Sequence, residues 1–209
     1  KSTNMLLNFS KHKKLLLSGM KISMATLLSG LFLLACSPSG DKPIQRFQHA
    51  IEGSYAGNIS NDGKWSVISS IHHGISVWDL ENDALKYQWA QKQDSSDNLV
   101  LAIDISHNSS HALTASRENF ALWNMKTGAS EGYWKIRESN IRDIAISNNG
   151  DYLLIGKGNG VVVHVAVDTG RRLEFLGHQE KINTVDMMPN GRVAMSGGND
   201  FIAYVWDTK

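Results

Sequence analysis

The chain repeats itself four times, and that periodicity restricts its fold more than any other feature. Each copy holds a hydrophobic strand, an Asn/Asp/Gly turn, a second strand, and a third strand closing on a short motif: GISVWDL, FALWNM, VVVHVAVDTG and IAYVWDT. The landmarks Trp78, Trp123, Val165 and Trp206 are spaced by 45, 42 and 41 residues. Units of this length are small antiparallel sheets that cannot bury an apolar face alone, so neighbouring copies must cover one another. An all-β chain is therefore expected, built radially and suited to holding other molecules rather than transforming them.

The punctuation supports this. The turns Asn61-Asp62-Gly63, Asn108-Ser109-Ser110, Asn148-Asn149-Gly150 and Pro189-Asn190-Gly191 use residues that tolerate positive φ or preset it. Before them, period-two alternation puts Gly57 and Ile59, Ile103 and Ile105, Ile144 and Ile146, and Val185 and Met187 on one face. Second strands are expected at residues 65–69, 112–116, 152–156 and 193–197, and fourth strands at 87–91, 133–136 and 172–176. Residues 44–49 look like one more fourth strand, placed ahead of the first complete unit. Such a strand would complete the last sheet and lock a ring.

Over residues 44–209 these features resemble the WD40 repeat family, most closely in the fourth unit, with Gly177-His178, Ser196, Asp200 and Trp206-Asp207. The resemblance implies a WD40-type β-propeller. It also implies a hydrogen-bonded tetrad of His178, Ser196, Asp200 and Trp206 inside the blade, where buried polar groups satisfy one another. The other units depart from it. The Asp position holds His72, Arg117 and Asn159, the Ser position holds Ile68, Thr114 and Ile155, and the third unit has Val165-Ala166 for Trp-Asp. Those blades are expected to depend more on apolar packing. Since WD40 rings usually contain about seven blades, the four visible ones are expected to form an incomplete part of a roughly seven-bladed ring. Pairing of two four-blade chains is the alternative.

The N-terminal segment of the chain, residues 1–43, reads differently. Residues 1–35 carry five lysines and no acid, which leaves 16 basic against 20 acidic residues in the remainder. That sign disfavours a nucleic-acid partner, which would require a basic face. Lys13, Lys14 and Lys21 precede an apolar run over residues 22–35, the layout of a secretory signal peptide, and the run is short for a membrane span. Met20 and Met5 are the candidate starts, with any residues upstream as flank. Leu33-Leu34-Ala35-Cys36 resembles the lipobox of bacterial lipoproteins. This implies cleavage after residue 35, lipid attachment at Cys36, and a polar tether over residues 36–43. Ser37 in that setting implies the outer membrane, with the propeller in the periplasm. Cys36 is the sole cysteine, so no intrachain disulfide supports the fold.

Chemistry is harder to find. Ser196, His178 and Asp200 are the residue types of a hydrolase triad, but they fall in the tetrad's order, and Ser196 has no Gly-x-Ser-x-Gly context. His72 and His73 are adjacent, so on a strand they would point to opposite faces; even with His107 or His111 they make a poor metal site. Gly156-Lys157-Gly158-Asn159-Gly160 leads into a valine strand rather than a phosphate-binding helix, which makes it a permissive turn. No convergent set of carboxylates and amides is evident in the strands before the turns, and no cofactor or metal is expected. What remains is a rim formed by the turns between second and third strands and by the connections into the first strands. It is expected to carry His72, His73, Arg117, Glu118, Arg137, Lys157, Asn159 and Asn199 for a protein partner. The function so implied is a non-catalytic interaction scaffold in the bacterial envelope, similar in compartment and architecture to the propeller lipoprotein of outer-membrane protein assembly. A periplasmic small-molecule sensor or enzyme using the central channel is the alternative.

Overall fold

Turn chemistry sets the register of the molecule. Gly63, Gly150 and Gly191 adopt φ values of 71°, 87° and 72°, and Ser109 takes the same left-handed region at 60° where the second copy lacks glycine. Between these turns the computed structural model describes residues 43–46, 48, 53–71, 73–91, 99–136 and 140–209. The expected signal peptide, Cys36, nearly all of the tether, His72 and Arg137 lie outside the described residues. The larger of the two units into which the chain divides spans residues 47–209.

Within the larger unit the strands form four antiparallel sheets, the blades. Blade 1 contains β1 (Ser54–Ile59), β2 (Trp65–Ser70), β3 (Ile75–Asp79) and β4 (Ala84–Trp89). Blade 2 contains β5 (Ala102–Ile105), β6 (His111–Ala115), β7 (Asn119–Asn124) and β8 (Ser130–Lys135). Blade 3 contains β9 (Ile141–Ile146), β10 (Tyr152–Lys157), β11 (Val161–Ala166) and β12 (Arg172–Leu176). Blade 4 contains β13 (Ile182–Met187), β14 (Val193–Gly198) and β15 (Ala203–Asp207). In each sheet sequential strands are neighbours, as hairpin connections require.

Two expectations are corrected. The strands β4 and β8 begin three residues earlier than the apolar pattern suggested, because pairing resumes directly after the turn, at Asp79 with Ala84 and at Trp123 with Ser130. Residues 44–46 and Gln48 lie in no strand, and blade 4 is three-stranded among the described residues.

The core sits between blades rather than within them, a direct result of period-two alternation. Val67, Ile75 and Val77 of blade 1 pack against Ile105, Ala112, Ala121 and Trp123 of blade 2. Leu113, Phe120 and Leu122, on the other face of blade 2, meet Ile144, Ile146, Leu153 and Ile155 of blade 3. Leu154 and Val162 then face Ile182, Val185 and Met187 of blade 4. The inner strands β1, β5, β9 and β13 lie side by side in that order. Polar clamps reinforce them: Asn58 Nδ2 donates to Asp104 Oδ1 at 3.1 Å, Ile146 N–H to Asp104 Oδ2 at 3.0 Å, and Val185 N–H to Asp143 Oδ2 at 2.9 Å. The two end faces keep apolar residues in the open, with Ile59 62% and Val205 71% exposed.

Candidate functional site

The fourth repeat assembles its polar residues from three places. Ser196 lies on β14, Trp206 on β15 opposite Ala194, Asp200 in the turn between them, and His178 in the connection after β12. Trp206 Nε1–H donates to Ser196 Oγ at 2.8 Å, and Ser196 Oγ lies 2.9 Å from His178 Nε2. His178 Nδ1 is 2.8 Å from Asp200 Oδ2. The carboxylate can only accept, so Nδ1 carries the proton and Nε2 accepts from the serine hydroxyl. Asp200 also accepts from the backbone N–H groups of Gln179 and Ile202 at 3.0 and 3.2 Å. Burial pushes its pKa up, but the bonds from His178 and these amides outweigh it and hold the carboxyl below its ordinary range. Tyr204 meets the imidazole edge-on and Phe175 stacks on Trp206. Ser196 is fully buried, and its one proton and its acceptor capacity are both used internally. The arrangement braces the blade and presents no reachable nucleophile.

Sequence comparison with the tetrad missed two partial counterparts. Thr114 Oγ1 accepts from Trp123 Nε1 at 2.8 Å, so blade 2 keeps the hydroxyl–indole half of the network. Gln91 follows Trp89 by two positions, as His178 follows Leu176, and its Nε2 donates to Asn119 O at 2.9 Å. That offset from the end of the fourth strand was the available signal. Blade 3 carries no such bond at its Ser position, where Ile155 is fully buried.

Of the expected rim, His73, Arg117, Glu118, Asn159 and Asn199 are exposed. Glu118 pairs with Lys135 at 3.3 Å, and Asn199 Oδ1 accepts from Asn183 at 2.6 Å. Lys157 is different. It is the last residue of β10, paired with Ile141 beside a register shift, and is only 7% exposed, so it does not belong to the displayed rim. The glycine segment after it is a turn, with Gly160 N–H donating to Lys157 O and a φ of 82°. A Cβ at Gly160 would lie 2.7 Å from His178 O, so this turn is also where blade 3 closely approaches the tetrad's connection.

The central channel requires another correction. Asn58, Asp104 and Asp186 of the inner strands do converge, lining a cavity of about 380 Å³ together with His107 and Asn61. Alternation pointed these side chains to the axis, but only the radial packing brought them together. Burial pushes Asp104 up to about 6, against the lowering effect of the Ile146 and Ile105 amides. The bonds of Asp104 go to neighbouring backbone and to Asn58. Among the described residues no group of three or more His, Cys, Asp or Glu is placed to hold a metal ion. His107 lies near Asn61, whereas His111 pairs with Glu131 at 2.9 Å.

Comparison with known proteins agrees with the geometry. The family model described as WD domain, G-beta repeat, matches residues 170–207, the span that holds the whole tetrad. The chain is 26% identical over 204 residues to WD repeat-containing protein SL1-17 of Schistosoma mansoni, covering 97% of this chain and 64% of that protein. It is 20% identical over 152 residues to Pre-mRNA-processing factor 19 of Caenorhabditis elegans, covering 70% of this chain and 30% of that protein. The chain thus spans less than two thirds of the length of these relatives. Residues 170–207 thus match a WD40 repeat, and four antiparallel sheets packed face to face with a complete His–Ser–Asp–Trp network make the chain similar to WD40 repeat proteins.

Proposed function

We propose that this chain is a non-catalytic protein-interaction scaffold, exported and held at a bacterial membrane by a lipid on Cys36. The observation that carries the scaffold reading is the contrast between rim and interior. His73, Arg117, Glu118, Asn159 and Asn199 are exposed on the turns between second and third strands of rigid sheets, while the Ser–His–Asp set is sealed within blade 4. Loops held by a rigid scaffold are where a partner gains contacts without paying to order the backbone. The relatives' WD-repeat character supports the same class. The anchor and the envelope location rest on the Leu33-Leu34-Ala35-Cys36 motif behind its apolar run.

In-cell crosslinking followed by partner identification tests the scaffold. Arg117→Glu combined with His73→Glu is expected to remove the crosslinked species and leave the melting temperature unchanged. An undiminished crosslink would reject the rim. Cys36→Ala is expected to abolish incorporation of labelled palmitate, and normal labelling of that variant would reject the anchor. A second reading, a small polar ligand in the central channel, is favoured by the cavity around Asn58, Asp104 and Asp186. Ligand-dependent thermal shifts abolished by Asp186→Ala would support it.

A further inference from the structure

On the opposite face of the blades, where the β1–β2 type and β3–β4 type turns meet, blades 3 and 4 enclose a groove of about 420 Å³. Three substitutions distinguish it from the equivalent places elsewhere in the chain. First, Ala166 replaces the residue that caps its own turn in the other blades. Asp79 accepts from the amides of Glu81 and Asn82, Asn124 from those of Lys126 and Thr127, and Asp207 from that of Lys209. Ala166 lines the groove and brings no carboxylate. Second, two positions before Ala166 stands His164, where blades 1 and 2 bury Val77 and Leu122. It is 4% exposed, stacks on Tyr152 at 5.2 Å, and its Nε2 has no hydrogen-bond partner among the described residues. Third, the two walls carry Arg171 and Arg192. The backbone bonds Ala166 N–H to Arg171 O and Thr208 N–H to Arg192 O identify the counterparts in the groove between blades 2 and 3 as Ala129 and Asp151. Between blades 1 and 2 they are Ala84 and Ser110.

We propose that the groove between blades 3 and 4 binds a phosphate-type oxyanion, gripped by Arg171 and Arg192 from opposite walls above the buried His164. Both arginines are exposed and form no ion pair among the described residues, and Lys209 adds a further cation to the lining. Asp168 is the carboxylate among the lining residues, and its Oδ1 accepts from the Thr169 amide at 2.7 Å. Two guanidiniums offer forked N–H donors whose geometry matches phosphate oxygens. Burial holds the His164 pKa below its ordinary value, the Gly191 carbonyl raises it and Arg171 lowers it further, so a bound dianion would favour the protonated ring. This groove lies away from the rim, so its test is independent of the scaffold reading.

The experiment titrates the full chain with inorganic phosphate and with phenyl phosphate at constant ionic strength, using calorimetry and the His164 imidazole resonances. Saturable binding is expected, with an upward shift of the His164 titration in the presence of ligand. Arg171→Gln and Arg192→Gln, both at exposed positions, are each expected to weaken it about tenfold while the melting temperature holds. Tighter binding of phenyl phosphate would identify a monoester lying beside Tyr152 as the source of the phosphate, and equal binding would identify the free ion. Absence of saturation beyond a chloride control, or full binding by the double Gln variant, would overturn the proposal.

Discussion

Blades 3 and 4 pair their strands in the same register, yet three consecutive positions of their second strands differ. Blade 3 places Leu153, Leu154 and Ile155 there, all fully buried, whereas blade 4 has Ala194 buried, Met195 45% exposed and Ser196 buried. Blade 3 has a neighbour on each face and is filled from both sides by leucine, isoleucine and valine. Blade 4 is covered on one face among the described residues and holds its interior with the Trp206–Ser196–His178–Asp200 chain of hydrogen bonds. The difference teaches that one repeat architecture can be stabilised by two routes. Apolar burial requires neighbours on both sides, while a satisfied polar network braces a sheet from within.

The largest effect should come from the doubly covered blade. Leu154→Ala is expected to cost about 2–5 kcal/mol through lost burial and a cavity, whereas Met195→Ala at the equivalent position should stay within about 0.5 kcal/mol. Thermal melts of the pair would show it, and similar losses would mean that the two blades do not differ as described. Next, Ser196→Ala removes the centre of the network and strands the Trp206 and His178 nitrogens, at about 1–3 kcal/mol. An unchanged denaturant midpoint would show that the network does not brace blade 4. Asp200→Ala should lower the melting temperature in the same direction.

Smaller effects sharpen the comparison in blade 2, which lies between the two strategies. Thr114→Val keeps the shape, breaks the bond from Trp123, and should cost about 0.5–1.5 kcal/mol. A tryptophan fluorescence shift would report the freed indole. The smallest effect depends on pH. Asp104 has its folded pKa raised from 3.8 to about 6, so between these values the folded state binds a proton that the unfolded chain releases. Through this group stability falls as pH rises through about 6. Asp104→Asn should therefore gain on the wild type at pH 8 relative to pH 5, by on the order of 1 kcal/mol after allowance for solvent screening. Parallel stability curves from pH 5 to pH 8 would reject this.

Much of the blade architecture was legible because it is local. Turn residues such as Asn148-Asn149-Gly150 and the alternation through Ile144 and Ile146 act within a few residues, and the strands flanking those turns appear where the signals put them, whereas β4 and β8 begin three residues earlier. The grouping of His178, Ser196, Asp200 and Trp206 was also readable, since they share one repeat and a recurring spacing. Lys157 was misread because a strand end and a turn are one residue apart in sequence, while their side chains differ in burial. Gln91 and Thr114 were passed over because their residue types depart from the pattern although their positions keep it.

Period, turn chemistry and apolar alternation, then, were determined by the amino-acid order itself, because each depends on contacts within a blade. Tertiary structure decided what meets between blades: the Asp104 clamp onto Ile146, the open faces at Ile59 and Val205, and the groove where Arg171, Arg192 and His164 gather. Those groups are separated by about one repeat or lie on different sheets. Their proximity follows from how neighbouring sheets twist and pack, a cooperative property that no short sequence window contains.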